Sequence, residues 1–153
     1  MQLSTHTDYA LRLLIYLAIH RGVTSPTVKD AARRYGISTH HLAKVAQSLV
    51  QHGYITSQRG RGGGLALLRE PADINVGEVV RELETFNLVE CFGPGSMCKI
   101  EPDCRLMGAI AEARDAFLKA LGQYTLADLI RPKDRFIKLL NIYIEARKQG
   151  ART

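Results

Sequence analysis

Four residues, Tyr35-Gly36-Ile37-Ser38, constrain the fold of this chain more than any others. They separate two short helical patterns, and a glycine at such a junction supplies the left-handed backbone that a tight helix-to-helix turn requires. The first helix is expected from Thr27 to Tyr35, with Val28, Ala31 and Ala32 inward, and the second from Ser38, its expected cap, to about His52. Ile37 plugs the corner between them. The pattern is a helix-turn-helix. On the second helix Leu42, Val45, Ala46, Leu49 and Val50 fall on one side, while His40, His41, Lys44, Gln47, Ser48 and Gln51 fall on the other. That polar face carries donors and acceptors but no acid. A face left to solvent usually mixes both charge signs, so this one reads as a surface for the major groove of double-stranded DNA, with Ser38, His40, His41, Lys44, Gln47 and Ser48 as the contact candidates.

Gly53 ends the second helix, and residues 54–57 and 65–68 read as two short strands around Gln58-Arg59-Gly60-Arg61-Gly62-Gly63-Gly64. Four glycines and two arginines make a turn that is mobile in backbone and cationic in charge. Directly after a helix-turn-helix it reads as a wing, with Arg59 or Arg61 reaching the minor groove. A phosphate-cradling nucleotide loop is the rival, but the Gly-Lys-Ser/Thr ending and the strand-then-helix context are missing.

Charge supports the DNA reading by its placement. Of the net +6, the first 64 residues account for everything, with eight Lys or Arg against Asp8 and Asp30, and they also hold all five histidines. This is the asymmetry of a nucleic-acid-binding module joined to a neutral second lobe. A basic membrane-surface module competes with it, and would want exposed apolar residues beside the charge. The 153 residues are 46% apolar, as in an ordinary globular protein. The apolar stretch from Ala10 to Ile19 is interrupted by Arg12 and lacks a preceding basic segment, so it is not read as a signal peptide, and no run approaches membrane-spanning length. A cytoplasmic protein without a membrane partner is expected, with its thiols reduced.

A first helix is expected from about His6 to His20, with Thr5 as cap, Leu11, Leu14, Ile15, Ala18 and Ile19 buried, and Asp8 as a capping-box acid accepting from the Thr5 amide. After Pro71, Asn75 and Glu78 open a helix through about Glu84, with Val76, Val79, Val80 and Leu83 inward. Asp103 is the expected cap of a long helix to Leu121, stopped by Gly122, whose broad apolar face includes Leu106, Ile110, Ala113, Phe117 and Leu121. Such a face suits packing against a twin, which would set two recognition helices roughly 34 Å apart on the duplex; the bland alternative is burial against the first helix of the same chain. Thr125 and Asp128 start a further turn, and a tail helix from about Lys133 to Arg147 carries Phe136, Leu139, Leu140 and Tyr143.

All three cysteines, Cys91, Cys98 and Cys104, lie on one segment broken by Gly93, Pro94, Gly95 and Pro102. Soft thiolates converging from such a loop suit an iron–sulphur cluster, whose binding offsets the entropy of ordering the loop. Zinc, a disulfide or three unrelated cysteines remain the alternatives. An odd count leaves one thiol over in any disulfide scheme, and no Cys-x-x-Cys half-site of the structural zinc kind is present. A metal-dependent enzyme or thiol oxidoreductase has little to work with, since no paired carboxylates, Cys-His base or redox Cys-x-x-Cys accompanies the cysteines. The chain is therefore not expected to be an enzyme.

Several stretches carry a resemblance over nearly the whole length: Thr7-Asp8-Tyr9-Ala10-Leu11-Arg12, Tyr35-Gly36-Ile37-Ser38, Gly53-Tyr54, Arg59-Gly60 with Gly63-Gly64-Leu65, and Val80-Arg81-Glu82-Leu83-Glu84. The chain resembles a family of dimeric winged-helix iron–sulphur regulators that includes the cluster regulator IscR. Asn87-Leu88-Val89, Cys104-Arg105-Leu106 and Tyr124-Thr125-Leu126-Ala127-Asp128-Leu129 resemble most the nitric-oxide-sensing repressors of that family. The resemblance implies a mainly α fold: a winged helix-turn-helix DNA-binding domain with a two-stranded wing over residues 1–70, a connecting helix and cysteine loop over 71–104, and a dimerisation helix with C-terminal helices over 105–153. It implies that Cys91, Cys98 and Cys104 bind a [4Fe-4S] cluster and that Asp8 of the partner subunit completes it. In IscR-like members a histidine after the third cysteine takes part, but Met107 stands there in this chain, which disfavours a [2Fe-2S] site. The implied function is a homodimeric transcriptional repressor that releases operator DNA when nitric oxide reaches the cluster; sensing of iron–sulphur status or redox stress is the alternative.

Overall fold

The structure, a computed structural model, describes residues 2–22, 25–58 and 63–139. Its elements run α1 (Thr5–His20), α2 (Val28–Tyr35), α3 (Thr39–Gln51), β1 (Ile55–Ser57), β2 (Leu65–Leu67), α4 (Val76–Leu83), α5 (Arg105–Leu121) and α6 (Leu126–Leu129), with a final helical segment over residues 133–139. The mainly α winged helix-turn-helix is present as expected.

Helix α2 starts on a reciprocal cap in which Thr27 accepts from the Asp30 amide and Asp30 accepts from the Thr27 amide. It stops at Gly36, whose φ of 66° is the left-handed conformation the turn called for, and Ile37 packs against the core beside it. Ser38 occupies the cap position of α3 but makes no capping hydrogen bond from its side chain, contrary to expectation. Leu42, Val45, Ala46 and Leu49 are buried as the helical period requires, whereas Val50 is exposed, one step too far around the helix. The wing is a two-stranded antiparallel ribbon with Ile55 opposite Leu67 and Ser57 opposite Leu65. Its inner residues Ile55 and Leu65 are buried, and the Leu65 amide donates to the Pro26 carbonyl at 2.8 Å, tying the ribbon to the root of α2.

Helix α1 is the axis of the core. It packs against α3, α4, α6 and β2, so burial extends beyond the expected stripe to Ala10, Leu13, Tyr16 and Leu17, while Leu11 and Ile15 are only half-buried. A helix surrounded on several sides buries most of its circumference, and one apolar stripe underestimates it. The same cluster of buried residues includes Ile74, Val79 and Leu126 from beyond the wing. Asn75 joins the two halves of that region: its Oδ1 accepts from the Glu78 amide to cap α4, and its Nδ2 donates to the Gly122 carbonyl at 2.7 Å. Helix α6 opens on the reciprocal Thr125–Asp128 cap that the sequence announces.

Helix α5 differs most from expectation. Within the chain it packs against α4, and Leu118 is its one buried residue; Leu106 and Ala113 are exposed and Ile110, Phe117 and Leu121 half-buried. Its cap is Cys104, whose sulphur accepts from the Met107 amide at 3.4 Å, and not Asp103, which ends the preceding 3-10 turn. Of the expected tail helix, residues 133–139 are helical, and Leu140 and Tyr143 lie outside the described residues. Among the described residues no helix is long and apolar enough to cross a membrane.

Candidate nucleic-acid interface and cysteine loop

The polar face of α3 is assembled as the helical period dictates. Ser38, His40, His41, Lys44 and Gln47 are exposed along α3, and no acid interrupts them. Ser48 is half-buried near the C-terminal end, where its carbonyl accepts from the His52 amide and ring. Arg59 and Arg61 lie outside the described residues. The strands leading to them are held by two contacts absent from any local reading: the Tyr54 hydroxyl donates to Glu82 Oε2 at 2.7 Å, and Arg69 stacks over the Tyr54 ring. Burial raises the Tyr54 hydroxyl well above its ordinary pKa, and accepting Glu82 raises it further.

The first turn of α1 corrects the reading of Asp8. The cap is Ser4, whose hydroxyl accepts from the Thr7 amide at 3.2 Å, so the helix starts one residue earlier than expected. Asp8 therefore sits beyond the capping position and pairs with Arg12, with Arg12 Nε 3.0 Å from Oδ1 and a terminal nitrogen 2.8 Å from Oδ2. The amide that a capping-box acid would have taken belongs instead to Glu84, at the C-terminal end of α4: Ser4 donates to Glu84 Oε2 from its amide at 2.8 Å and from its hydroxyl at 3.0 Å. Glu84 is also where the chain leaves α4 for the cysteines.

Burial pushes the Glu84 carboxyl up, but hydrogen bonds from Thr7, Ser4 and Thr85 outweigh it and leave the group below its ordinary value of 4.5. A folded-state value below the unfolded one means that the unfolded chain takes up the proton first. The clamp is therefore fully stabilising above the unfolded value and is lost as pH falls through the folded one. Glu84→Gln should cost about 1 kcal/mol at neutral pH, discounted for the partial exposure of the site. In thermal melts the gap between variant and native protein should narrow below pH 4.5; a gap that widens with acid would contradict the clamp.

The cysteine loop links α4 to α5 through two short 3-10 turns, Glu90–Phe92 and Glu101–Asp103. Cys91 lies in the first turn, Cys98 between them, and Cys104 heads α5; all three thiols are free and partly buried. Burial raises the Cys91 thiol, and Cys104, Glu101 and Cys98 raise it further, so each of those groups lies within electrostatic reach. Among the described residues no three His, Cys, Asp or Glu side chains already stand as a metal cage. Three partly buried thiols on one loop fit a sulphur-ligated group in donor type.

The family model described as "Rrf2: Iron-dependent Transcriptional regulator" matches residues 3–132. The chain belongs to the Rrf2 family. Its Rrf2 relatives include the HTH-type transcriptional regulator NsrR of Bacillus subtilis (strain 168), 46% identical over 144 residues, covering 93% of this chain and 99% of that protein. NsrR of Geobacillus kaustophilus is 45% identical over 142 residues, covering 92% and 97%. Among solved structures, T. potens IscR superposes with a TM-score of 0.68 at 30% identity, covering 86% of this chain and 87% of that one. CymR, the global cysteine regulator of B. subtilis, gives 0.67 at 30%, covering 84% and 95%. As an Rrf2 member the chain is a DNA-binding transcriptional regulator and not an enzyme.

Proposed function

We propose that the chain is a homodimeric repressor that binds operator DNA through α3 and the wing arginines Arg59 and Arg61, and releases it in response to nitric oxide. The receptor in this reading is an iron–sulphur cluster, [4Fe-4S] in form, held by Cys91, Cys98, Cys104 and Asp8 of the partner subunit. Relatives named NsrR, the iron in the family's description and the donor chemistry of the loop all support it. When bound, the cluster supplies irons that take up nitric oxide, and its oxygen ligand is the poorest match among the four.

One observation carries the proposal: the first turn of α1 meets the root of the cysteine loop at Glu84, while the same helix packs along the recognition helix α3. Asp8 is on that turn. Its pair with Arg12 is half-exposed, with side-chain exposures of 41% and 45%, and such pairs contribute only about 0.3–0.5 kcal/mol. The carboxylate can therefore leave Arg12 for a stronger partner at little cost. A pull on Asp8 acts on α1, and α1 passes it to α3 through Leu13, Leu17 and Leu42 of their shared core. A coupling of about 1–3 kcal/mol changes DNA affinity by about 5- to 150-fold. The largely uncovered face of α5, with Leu106 62% exposed, supports the dimer that brings Asp8 to a neighbour's loop.

The test is nitric oxide titration of anaerobically purified protein, followed by visible absorption and DNA binding on the same samples. Binding should fall in step with the loss of the cluster's absorption; an iron-free dimer with normal operator affinity would sink the reading. Asp8→Ala should keep the absorption and lose at least fivefold of the affinity change that nitric oxide causes. Native behaviour in both assays would leave Asp8 as the surface partner of Arg12. A sensor of iron–sulphur status is the second reading, favoured by the likeness to T. potens IscR. Against it, Met107 stands where the resemblance places a histidine in such sensors.

A further inference from the structure

Between the first two turns of α1 and the middle of α3 lies a hollow of about 360 Å³ lined by Thr5, His6, Tyr9, His41, Lys44 and Val45. Its polar lining is made of groups that donate hydrogen bonds or carry positive charge, and no carboxylate is among them. On each helix the donors are three residues apart, His6 with Tyr9 and His41 with Lys44, so each helix offers two from one face. The N-terminal amides of α1 are already used, by the Ser4 cap and by Glu84, so the side chains carry the site. The Arg12 guanidinium lies 5.9 Å from the Tyr9 ring centroid, outside the lining of the hollow. The nearest acid in sequence, Asp8, is held by Arg12.

We propose that this hollow seats one backbone phosphate of the duplex, contacted by His6 and Tyr9 from α1 and by Lys44 and His41 from α3. The inference deepens the DNA reading of the family and does not depend on the cluster. A recognition helix lying in the major groove has a phosphate strand along each flank, and in helix-turn-helix proteins an adjacent helix fixes register by gripping that strand. Here α1 supplies the grip. Lys44 and His41 are then positioning contacts, and base reading falls to Ser38, His40 and Gln47 further round α3. No sequence pattern joins His6 to Lys44, because only the packing of α1 on α3 brings them together.

Loss of a phosphate contact weakens binding to all sequences alike, and loss of a base contact weakens binding to the preferred one. The probes are the duplex that native protein enriches from a random-sequence pool and a shuffled duplex of the same length, titrated between about 50 and 200 mM salt. His6→Gln, Tyr9→Phe and Lys44→Gln should each lower affinity for both duplexes by the same factor, about three- to tenfold. Lys44→Gln should also reduce the magnitude of the salt slope by about one per seat. Tyr9→Phe keeps the ring that packs on the core, and an unchanged melting temperature confirms that folding is intact. Unchanged affinities for His6→Gln and Tyr9→Phe would overturn the seat, as would a Lys44→Gln loss confined to the enriched duplex with the slope intact. Native protein that enriches no duplex at all would overturn the DNA reading first, and the seat with it.

Discussion

Gly77→Ala should lower the melting temperature by about 5–10 °C at fixed protein concentration, a loss of about 2–3 kcal/mol. Gly77 is buried on α4 where that helix crosses the end of α5. A Cβ built there would lie 2.7 Å from the Gly122 nitrogen, 2.7 Å from the Leu118 carbonyl oxygen and 2.8 Å from the Gly122 Cα. All three are backbone atoms, so no side chain can rotate away, and the two helices must separate. Separation also strains the Asn75 bond to the Gly122 carbonyl and the Val76 amide bond to the Tyr124 carbonyl. Alanine's better helix propensity returns only about 1 kcal/mol of this. Gly108→Ala is the control: it lies on the polar stripe of α5 shared by Glu112 and Asp115, with nothing within 4 Å of its Cβ, and should be neutral or slightly stabilising. A Gly77→Ala protein as stable as the native one would mean that α4 and α5 do not approach this closely.

That joint could not be read from the chain alone. Gly77 follows a good cap and precedes an apolar run, so locally it is only a weak helix residue; what requires it is the backbone of Gly122, brought there by the fold. Features that depend on neighbouring residues were legible: the left-handed Gly36, the Thr125–Asp128 start of α6, the Asn75 cap and four inward residues of α3, Leu42, Val45, Ala46 and Leu49. Where local and distant partners compete, the reading failed. Ser4 displaced Thr5 as cap, Glu84 took an amide from 80 residues away, and Asp8 turned to Arg12. Likewise Cys104 displaced Asp103, because the 3-10 turn over Glu101–Asp103 uses the aspartate's position before the helix begins. The polar face of α3 was legible because it is an unbroken stripe on one helix. The hollow beside it was not, because it takes two helices to make.

If the cysteine loop holds the proposed cluster, Cys98→Ala should remove its visible absorption altogether and lower operator affinity by about 5- to 150-fold, with little change in the thermal stability of the iron-free protein. The choice among the three cysteines rests on what else each does. Cys104 caps α5 through its sulphur, so its loss removes a helix cap as well as the proposed ligand, at a cost of up to about 1 kcal/mol. Cys91 is inside a 3-10 turn, and its thiol is the one raised by burial and by its neighbours. Among the described residues the Cys98 sulphur makes no hydrogen bond, and the bonds at that residue are main-chain ones that alanine preserves: its amide donates to the Ser96 hydroxyl and its carbonyl accepts from the Glu101 amide. A loss of function at Cys98 therefore reports on what its sulphur holds and not on folding. Retained absorption in this variant would remove Cys98 from the ligand set. Lost absorption with native operator affinity would separate the cluster from DNA binding and leave the path through Glu84 and α1 as packing alone.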